Sequence, residues 1–159
     1  MCSSDLIGNV MGRYEARNPH QACLLLGSHL DTVRNAGRYD GMLGVITAIE
    51  CVDAFNQLGQ RLPFAIEIAG FADEEGVRFG TTLLGSRALA GQFDPQCLEL
   101  RDANGISMAD ALQAFGLDAT RIPSAAKSRT SVLAYVELHI EQGPVLEAQG
   151  LPVGVVTAI

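Results

Sequence analysis

The sequence has few basic residues, with 11 Lys plus Arg against 18 Asp plus Glu and a net charge of −7 over 159 residues. A protein that tracks nucleic-acid phosphates would show basic clusters, so nucleic acid is not an expected partner. The sequence also lacks an apolar run of about 18 residues and the basic-then-apolar start of a secretory signal. These absences predict a cytoplasmic protein without a membrane partner.

Several catalytic patterns are missing as well. There is no phosphate-binding glycine loop and no nucleophile elbow. The single lysine, Lys127, lies in a polar stretch, which argues against Schiff-base chemistry. The four cysteines are too far apart for a zinc knuckle or a redox pair, and they predict no disulfide framework. They are Cys2, Cys23, Cys51 and Cys97.

Hydrophobic patterning predicts one globular α/β domain. Apolar runs at 22–27, 64–72 and 132–140 are typical of buried strands that are covered on both faces. Helical spacing follows at 41–58, 82–90 and 107–115, with Asp40 as the expected N-cap and Gly59 as the stop of the first helix. Residues 153–157 are a candidate fourth strand. The pattern favours a mostly parallel sheet flanked by helices.

Chemically active side chains follow all three predicted strands. His29 and Asp31 end the first strand, Glu74 and Glu75 follow the second, and His139 follows the third. Ligands of open α/β sheets bind outside the carboxyl ends of the strands, so these groups are expected to meet at one edge. Imidazoles and carboxylates together form the ligand set of a divalent metal.

Each residue alone also has a structural interpretation. Glu74 and Glu75 can be a solvated turn, and Asp40 a simple helix cap. With a metal present, one glutamate can ligate while the other acts as a general base. Asp31, two residues after His29, can hold the other ring nitrogen of the imidazole. The joint placement at strand ends favours a metal site.

Four strings resemble the allantoate amidohydrolase and N-carbamoyl-L-amino-acid hydrolase family, which belongs to the aminoacylase and carboxypeptidase clan of dinuclear metallohydrolases. They are GSHLDTV at 27–33, YDG at 39–41, EEGVRF at 74–79 and ELHIEQGP at 137–144. The resemblance implies two divalent metals per full site, zinc or manganese, with cobalt or nickel also compatible. It implies that His29 and His139 bind the first metal, that Asp40 bridges both, and that Glu75 binds the second.

The resemblance also implies the catalytic roles. Glu74 is the expected general base, Asp31 orients His29, and Gln142 holds the ureido group of the substrate. The expected reaction is hydrolysis of a non-peptide C–N bond in a small ureido or N-carbamoyl acid. Allantoate, N-carbamoyl amino acids and N-carbamoyl-β-alanine stay open as substrates. The alternatives are a metallopeptidase or aminoacylase of the same clan and a non-catalytic metal-binding α/β fragment.

The resemblance further implies a domain organisation. Residues 5–152 are the expected metal-binding catalytic domain, and residues 153–159 are the start of a second domain or a linker strand. Full members carry a small domain through which a homodimer forms, and this chain is expected to be a fragment that lacks it. Alone, it is expected to bind one metal better than two and to be weakly active or inactive.

Overall fold

The computed structural model describes residues 2–157, and in them the chain forms a five-stranded sheet of order β1-β2-β4-β3-β5. The strands are β1 (Cys2–Ser4), β2 (Val10–Tyr14), β3 (Cys23–His29), β4 (Ala65–Phe71) and β5 (Val132–Val136). The three predicted strands are β3, β4 and β5, and they pair in parallel. The α/β class is therefore confirmed.

The two N-terminal strands were not predicted from the sequence. β1 pairs with β2 and β2 pairs with β4, both antiparallel, so the sheet is mixed, with two antiparallel pairings beside the two parallel ones, where a mostly parallel sheet was predicted. The sheet begins at Cys2, ahead of the predicted domain start at Asp5. β2, with the sequence VMGRY, contains a glycine and an arginine and gives no apolar run, which explains why it was missed.

Residues 2–157 contain four α-helices: α1 (Met42–Gln57), α2 (Leu84–Leu89), α3 (Met108–Ala114) and α4 (Val145–Gln149). The first three fall within the predicted helical ranges. Shorter 3-10 helices occupy Pro95–Glu99, Ala119–Ala125 and Arg129–Ser131. Gly59 ends α1 as predicted, because it takes a positive φ of 63° and its N–H donates to the Asn56 carbonyl. No helix in this part of the chain is long and apolar enough to cross a membrane.

The start of α1 differs from the prediction. Gly41, not Asp40, is the N-cap, with φ 70° and no side-chain capping bond. A Cβ at position 41 would lie 2.5 Å from Nδ1 of His29, so both the positive φ and the close approach require glycine. Asp40 is therefore not a helix cap, and its carboxylate is turned toward the histidines instead.

The core lies between the sheet and its helices. On one face of the sheet, Leu25, Ala69, Phe71 and Leu89 form a buried cluster, and on the other face α1 packs against β3 and β4. β5 is the exception, because it lies at the sheet edge with β3 as its one strand neighbour and Leu133 is 60% exposed. The prediction that 132–140 is covered on both faces is wrong for the described chain, since apolar composition specifies a strand but not what packs on it.

Three smaller predictions were also tested. Residues 153–157 form no strand. Residues 158–159 lie outside the described part of the chain. Cys23 is buried as expected, whereas Cys51 is exposed on α1, although both sit in apolar stretches. Cys23, Cys51 and Cys97 are free cysteines in the described part of the chain.

Candidate metal centre

Two histidines and one aspartate converge at the carboxyl end of the sheet. His29 is the last residue of β3, Asp40 precedes α1, and His139 follows β5. Nε2 of His29 lies 3.1 Å from Nε2 of His139, and Oδ1 of Asp40 lies 3.8 Å and 3.3 Å from these two nitrogens. His29 and Asp40 are 4% and 5% exposed, so this predicted trio forms a compact, largely buried group.

The contacts of the two Nδ1 atoms indicate the tautomer of each histidine. Nδ1 of His29 lies 2.6 Å from the carbonyl oxygen of Asp31, and Nδ1 of His139 lies 2.9 Å from that of Ile140. A carbonyl oxygen only accepts, so each Nδ1 is assigned as the protonated, donating nitrogen. A neutral ring protonated at Nδ1 has its free lone pair on Nε2, which is the form in which imidazole binds a metal. In that form the two Nε2 atoms and the Asp40 carboxylate present three electron-pair donors to one another.

A divalent cation resolves this convergence. Zinc binds imidazole nitrogen at about 2.0–2.1 Å in tetrahedral geometry, which places neighbouring donor atoms roughly 3.3 Å apart. The observed separations of 3.1, 3.3 and 3.8 Å match that spacing. The backbone carbonyls on the two Nδ1 atoms are the usual outer partners that fix the orientation of metal-binding histidines. The residues present therefore fit a metal ion.

A second potential ligand group joins His29 to Glu74 and Glu75, with one donor atom from each within 4.8 Å of the others. His29 is thus the residue common to both groups, while Asp40 belongs to the first and Glu75 to the second. The predicted bridging position of Asp40 stays a prediction. Burial raises the pKa of the Glu74 carboxyl, and the negative charge of Glu75 raises it further against the opposing effect of His29. A carboxylate with a raised pKa is suited to general base catalysis.

The contact predicted from the sequence between the Asp31 carboxylate and His29 is not formed. The Asp31 backbone carbonyl contacts the His29 ring instead, and the carboxylate accepts hydrogen bonds from the backbone N–H groups of Glu74, at 2.9 Å, and Glu75, at 3.0 Å. Asp31 therefore joins the two ligand groups, because one residue fixes both the His29 ring and the turn that carries the glutamates. A contact across 43 positions of sequence could not be derived from the two-residue spacing to His29.

Gln142 also lies at the centre. Its Nε2 is 3.4 Å from Oδ1 of Asp40, and its backbone takes a positive φ of 56°, which is uncommon for a residue other than glycine. His29 and Glu74 open onto a cleft of about 550 Å³, whose wall includes Leu25 and Phe71. A cleft of this size beside polar groups can admit a small organic acid.

Three polar residues at this edge, Ser28, Tyr135 and Glu137, have no role predicted from the sequence. Oγ of Ser28 donates to Oε1 of Glu137 at 2.6 Å, and the Tyr135 hydroxyl donates to Oε2 at 2.7 Å. Ser28 is fully buried. The available signal was position, since Ser28 and Glu137 both lie inside the strings that carried the family resemblance.

A histidine and carboxylate set at the carboxyl edge of parallel strands is typical of metal-dependent enzymes. Comparison with known proteins gives the family: the sequence pattern of peptidase family M20/M25/M40 matches residues 25–158. The chain belongs to this family. The resemblance inferred from the four strings is thereby confirmed.

The similar proteins are named amidohydrolase, deiminase and amidase. The chain is 52% identical over 155 residues to the N-carbamoyl-L-amino acid amidohydrolase of Geobacillus stearothermophilus, an alignment that covers 98% of the chain and 38% of the relative. It is 48% identical over 160 residues to allantoate deiminase of Arabidopsis thaliana, covering 98% and 30%. A solved hydantoinase/carbamoylase family amidase from Burkholderia ambifaria superimposes with a TM-score of 0.83 at 40% identity, covering 94% and 36%. The chain spans about a third of the length of these proteins.

Proposed function

We propose that residues 5–152 are the metal-binding catalytic part of an amidohydrolase that cleaves a non-peptide C–N bond in a ureido or N-carbamoyl acid. The observation that carries the proposal is the convergence of the His29 and His139 Nε2 atoms on the Asp40 carboxylate, with 3.1 Å between the two nitrogens. This arrangement favours a bound cation. The names of the relatives supply the substrate class, because they act on N-carbamoyl amino acids and on allantoate.

His29, Asp40 and His139 would hold a first divalent ion, and Asp40 and Glu75 would hold a second. Zinc and manganese both suit a set of imidazoles and carboxylates, and cobalt or nickel would also be accepted. When bound, such ions supply Lewis-acid activation of the ureido carbonyl and of water. The remaining steps fall to side chains of this chain.

Glu74 is the proposed general base. It takes a proton from the attacking water and delivers it to the leaving nitrogen, and the carbamoyl group departs as ammonia and carbon dioxide with consumption of one water. The raised pKa of Glu74 favours acceptance of this proton, and the Asp31 carboxylate fixes its backbone amide. Gln142, beside Asp40, is placed to donate a hydrogen bond to the ureido oxygen.

The whole protein is proposed to contain a small second domain, reached through residues 153–159, which forms the homodimer and completes the substrate site. Because the chain spans about a third of its relatives, it is expected to bind one metal better than two. Turnover by these 159 residues alone is expected to be weak or absent. Measurable turnover comparable to that of the whole enzyme would contradict this part of the proposal.

The proposal is tested with the full reading frame that contains this chain, loaded with manganese or zinc. Ammonia release would be measured from allantoate, from an N-carbamoyl amino acid and from N-carbamoyl-β-alanine. Glu74→Gln is expected to lower kcat by about 10²–10⁴-fold with the metal content unchanged, because the general base is lost while the ligands stay. Glu50→Gln, the same change at an exposed position of α1, is the matched control. Near-normal turnover in Glu74→Gln would overturn the mechanism.

A further inference from the structure

The two metal-ligand histidines are supported unequally by the sheet. His29 is paired with Phe71 in the parallel β3–β4 ladder. The β3–β5 ladder stops at the pair Leu26 and Val136, and residues 137–140 have no strand pairing. His139 therefore lies beyond the backbone hydrogen bonds of its own strand. Contacts other than the backbone pairing of its strand must therefore hold its Nε2 at 3.1 Å from Nε2 of His29.

Glu137 occupies this gap between the two strands. Its carboxylate accepts from Ser28 Oγ at 2.6 Å and from the Tyr135 hydroxyl at 2.7 Å, so each oxygen is held by a residue of a different strand. Both bonds have the short length of hydroxyl donation to a charged carboxylate. Burial and the negative charge of Glu137 raise the pKa of Tyr135 well above its ordinary value, so the phenol keeps its donor proton.

The anchoring point is itself rigid. Ser28 is fully buried, immediately precedes His29, and lies against α1 where that helix has Gly44. A Cβ at Gly44 would meet the Leu138 carbonyl oxygen and would lie 2.8 Å from Cβ of Ser28. The segment that carries Glu137 and Leu138 is thus held between α1 and the end of β3, directly before His139.

We infer that Glu137 is a positioning residue that sets the separation of the two metal-ligand imidazoles. Its hydrogen bond to Ser28 continues the β3–β5 pairing after the backbone ladder has ended. Ser28 is one residue before His29, and Glu137 is two residues before His139. The inference rests on the metal site proposed above. A tie that only stabilised the strands would contribute to folding without affecting the geometry of a bound metal.

Purified wild-type protein would be compared with Glu137→Gln, with Tyr135→Phe and with the control Glu147→Gln. The control makes the same carboxyl-to-amide change at an exposed residue of α4 that has no side-chain hydrogen bond among the described residues. Zinc affinity would be measured by competition with a chromophoric chelator, and the visible spectrum of the Co²⁺-loaded protein would report ligand geometry. Thermal unfolding without metal would report the fold. Tyr135→Phe removes only one hydroxyl, so it keeps the test valid if Glu137→Gln folds poorly.

Glu137→Gln is expected to weaken zinc binding by about 10–100-fold, the usual cost of losing an outer partner of a metal site. Tyr135→Phe is expected to give a smaller loss in the same direction, and both variants are expected to alter the Co²⁺ spectrum. Wild-type affinity and an unchanged spectrum in both variants would overturn the inference alone. A lowered unfolding temperature with an unchanged spectrum would also overturn it, in favour of a purely structural tie. Failure of the wild-type protein to bind zinc would refute the metal site itself.

Discussion

Two clusters of buried charge lie on this sheet, and they differ in whether the chain neutralises them. In the first, Glu67 of β4 has a side chain that is 10% exposed, with Arg13 Nη1 2.7 Å from one oxygen and Lys127 Nζ 2.5 Å from the other. In the second, Asp40 faces two imidazole nitrogens and has no lysine or arginine partner among the described residues. The first cluster is complete within the chain, and the second calls for an external cation.

The pKa values of two glutamates show the same difference. Burial raises the pKa of Glu67, but hydrogen bonds from Lys127 and Arg13 outweigh it and leave the pKa below the ordinary value. Burial also raises the pKa of Glu74, and there the negative charge of Glu75 adds to the effect against His29. Burial of a carboxylate is therefore not in itself a sign of function. The two glutamates differ because Lys127 and Arg13 outweigh burial at Glu67, whereas His29 does not outweigh it at Glu74.

The largest expected difference between the clusters is their response to metal. At a zinc concentration of about 100 times Kd, the free energy of unfolding should rise by about 2.7 kcal/mol, because zinc binds the folded state. Asp40→Asn should remove this gain while leaving the metal-free stability unchanged or slightly higher, since the new amide can donate to a histidine lone pair. Urea unfolding with and without zinc measures both quantities, with Glu50→Gln as the control. An undiminished zinc response in Asp40→Asn would contradict the assigned site.

Substitution in the Glu67 cluster should lower the stability of the metal-free protein without changing its affinity for zinc. Glu67→Ala leaves Arg13 and Lys127 without their partner and should lower the free energy of unfolding by about 1–3 kcal/mol. This loss is smaller than the loss expected for a fully buried ion pair, because the Arg13 and Lys127 side chains are 28% and 25% exposed and stay partly solvated. Zinc affinity should stay unchanged. A parallel loss of zinc affinity would show that the two clusters are coupled and would contradict their expected independence.

Acid should affect the Glu67 cluster in a defined direction. The pKa of Glu67 in the folded protein is below its unfolded value, so its stabilising contribution is fully present above the ordinary value of 4.5 and is lost as the pH falls through and below it. Metal-free protein should therefore lose stability on acidification from pH 5 to pH 3, and Glu67→Gln should show a shallower decline. Equal slopes in the two proteins would argue against the depressed pKa.

The smallest expected effect concerns the join between α1 and the segment before His139. Gly44→Ala would gain about 1 kcal/mol of helix propensity. The new methyl would collide with the Leu138 carbonyl and with Ser28, and overpacking of this kind costs about 1–3 kcal/mol. The net expectation is a loss of about 1 kcal/mol by thermal or urea unfolding, whereas Glu50→Ala on the exposed face of α1 should be near neutral. A gain in stability at position 44 would show that the helix and the segment separate easily.

The residues of this site that could be predicted from the sequence are those whose position follows from the order of strands along the backbone. His29, Glu74 and His139 were assigned correctly to one edge, because parallel strands bring their carboxyl ends together whatever the details of packing. Asp40 was placed near the site, but its role as a helix cap was wrong. The positive φ of Gly41, which directly follows Asp40, has no signature in the hydrophobic pattern.

The missed contacts share a physical cause. Asp31 binds the amides of Glu74 and Glu75, and Ser28 binds Glu137 across 109 positions, so both contacts depend on tertiary packing rather than on local spacing. The antiparallel strand β2 escaped prediction because pairing with β4, and not its own composition, makes it a strand. Side-chain partners of this kind are fixed only once the strand order is known.

Metal content is the most direct test of the central claim that the second cluster requires an external cation. Purified protein and Asp40→Ala, both shown to be folded by circular dichroism, would be analysed for zinc and manganese by elemental analysis. About one divalent ion per chain is expected in the wild-type protein, and almost none in Asp40→Ala. Folded wild-type protein without metal, even after incubation with excess zinc, would contradict that claim.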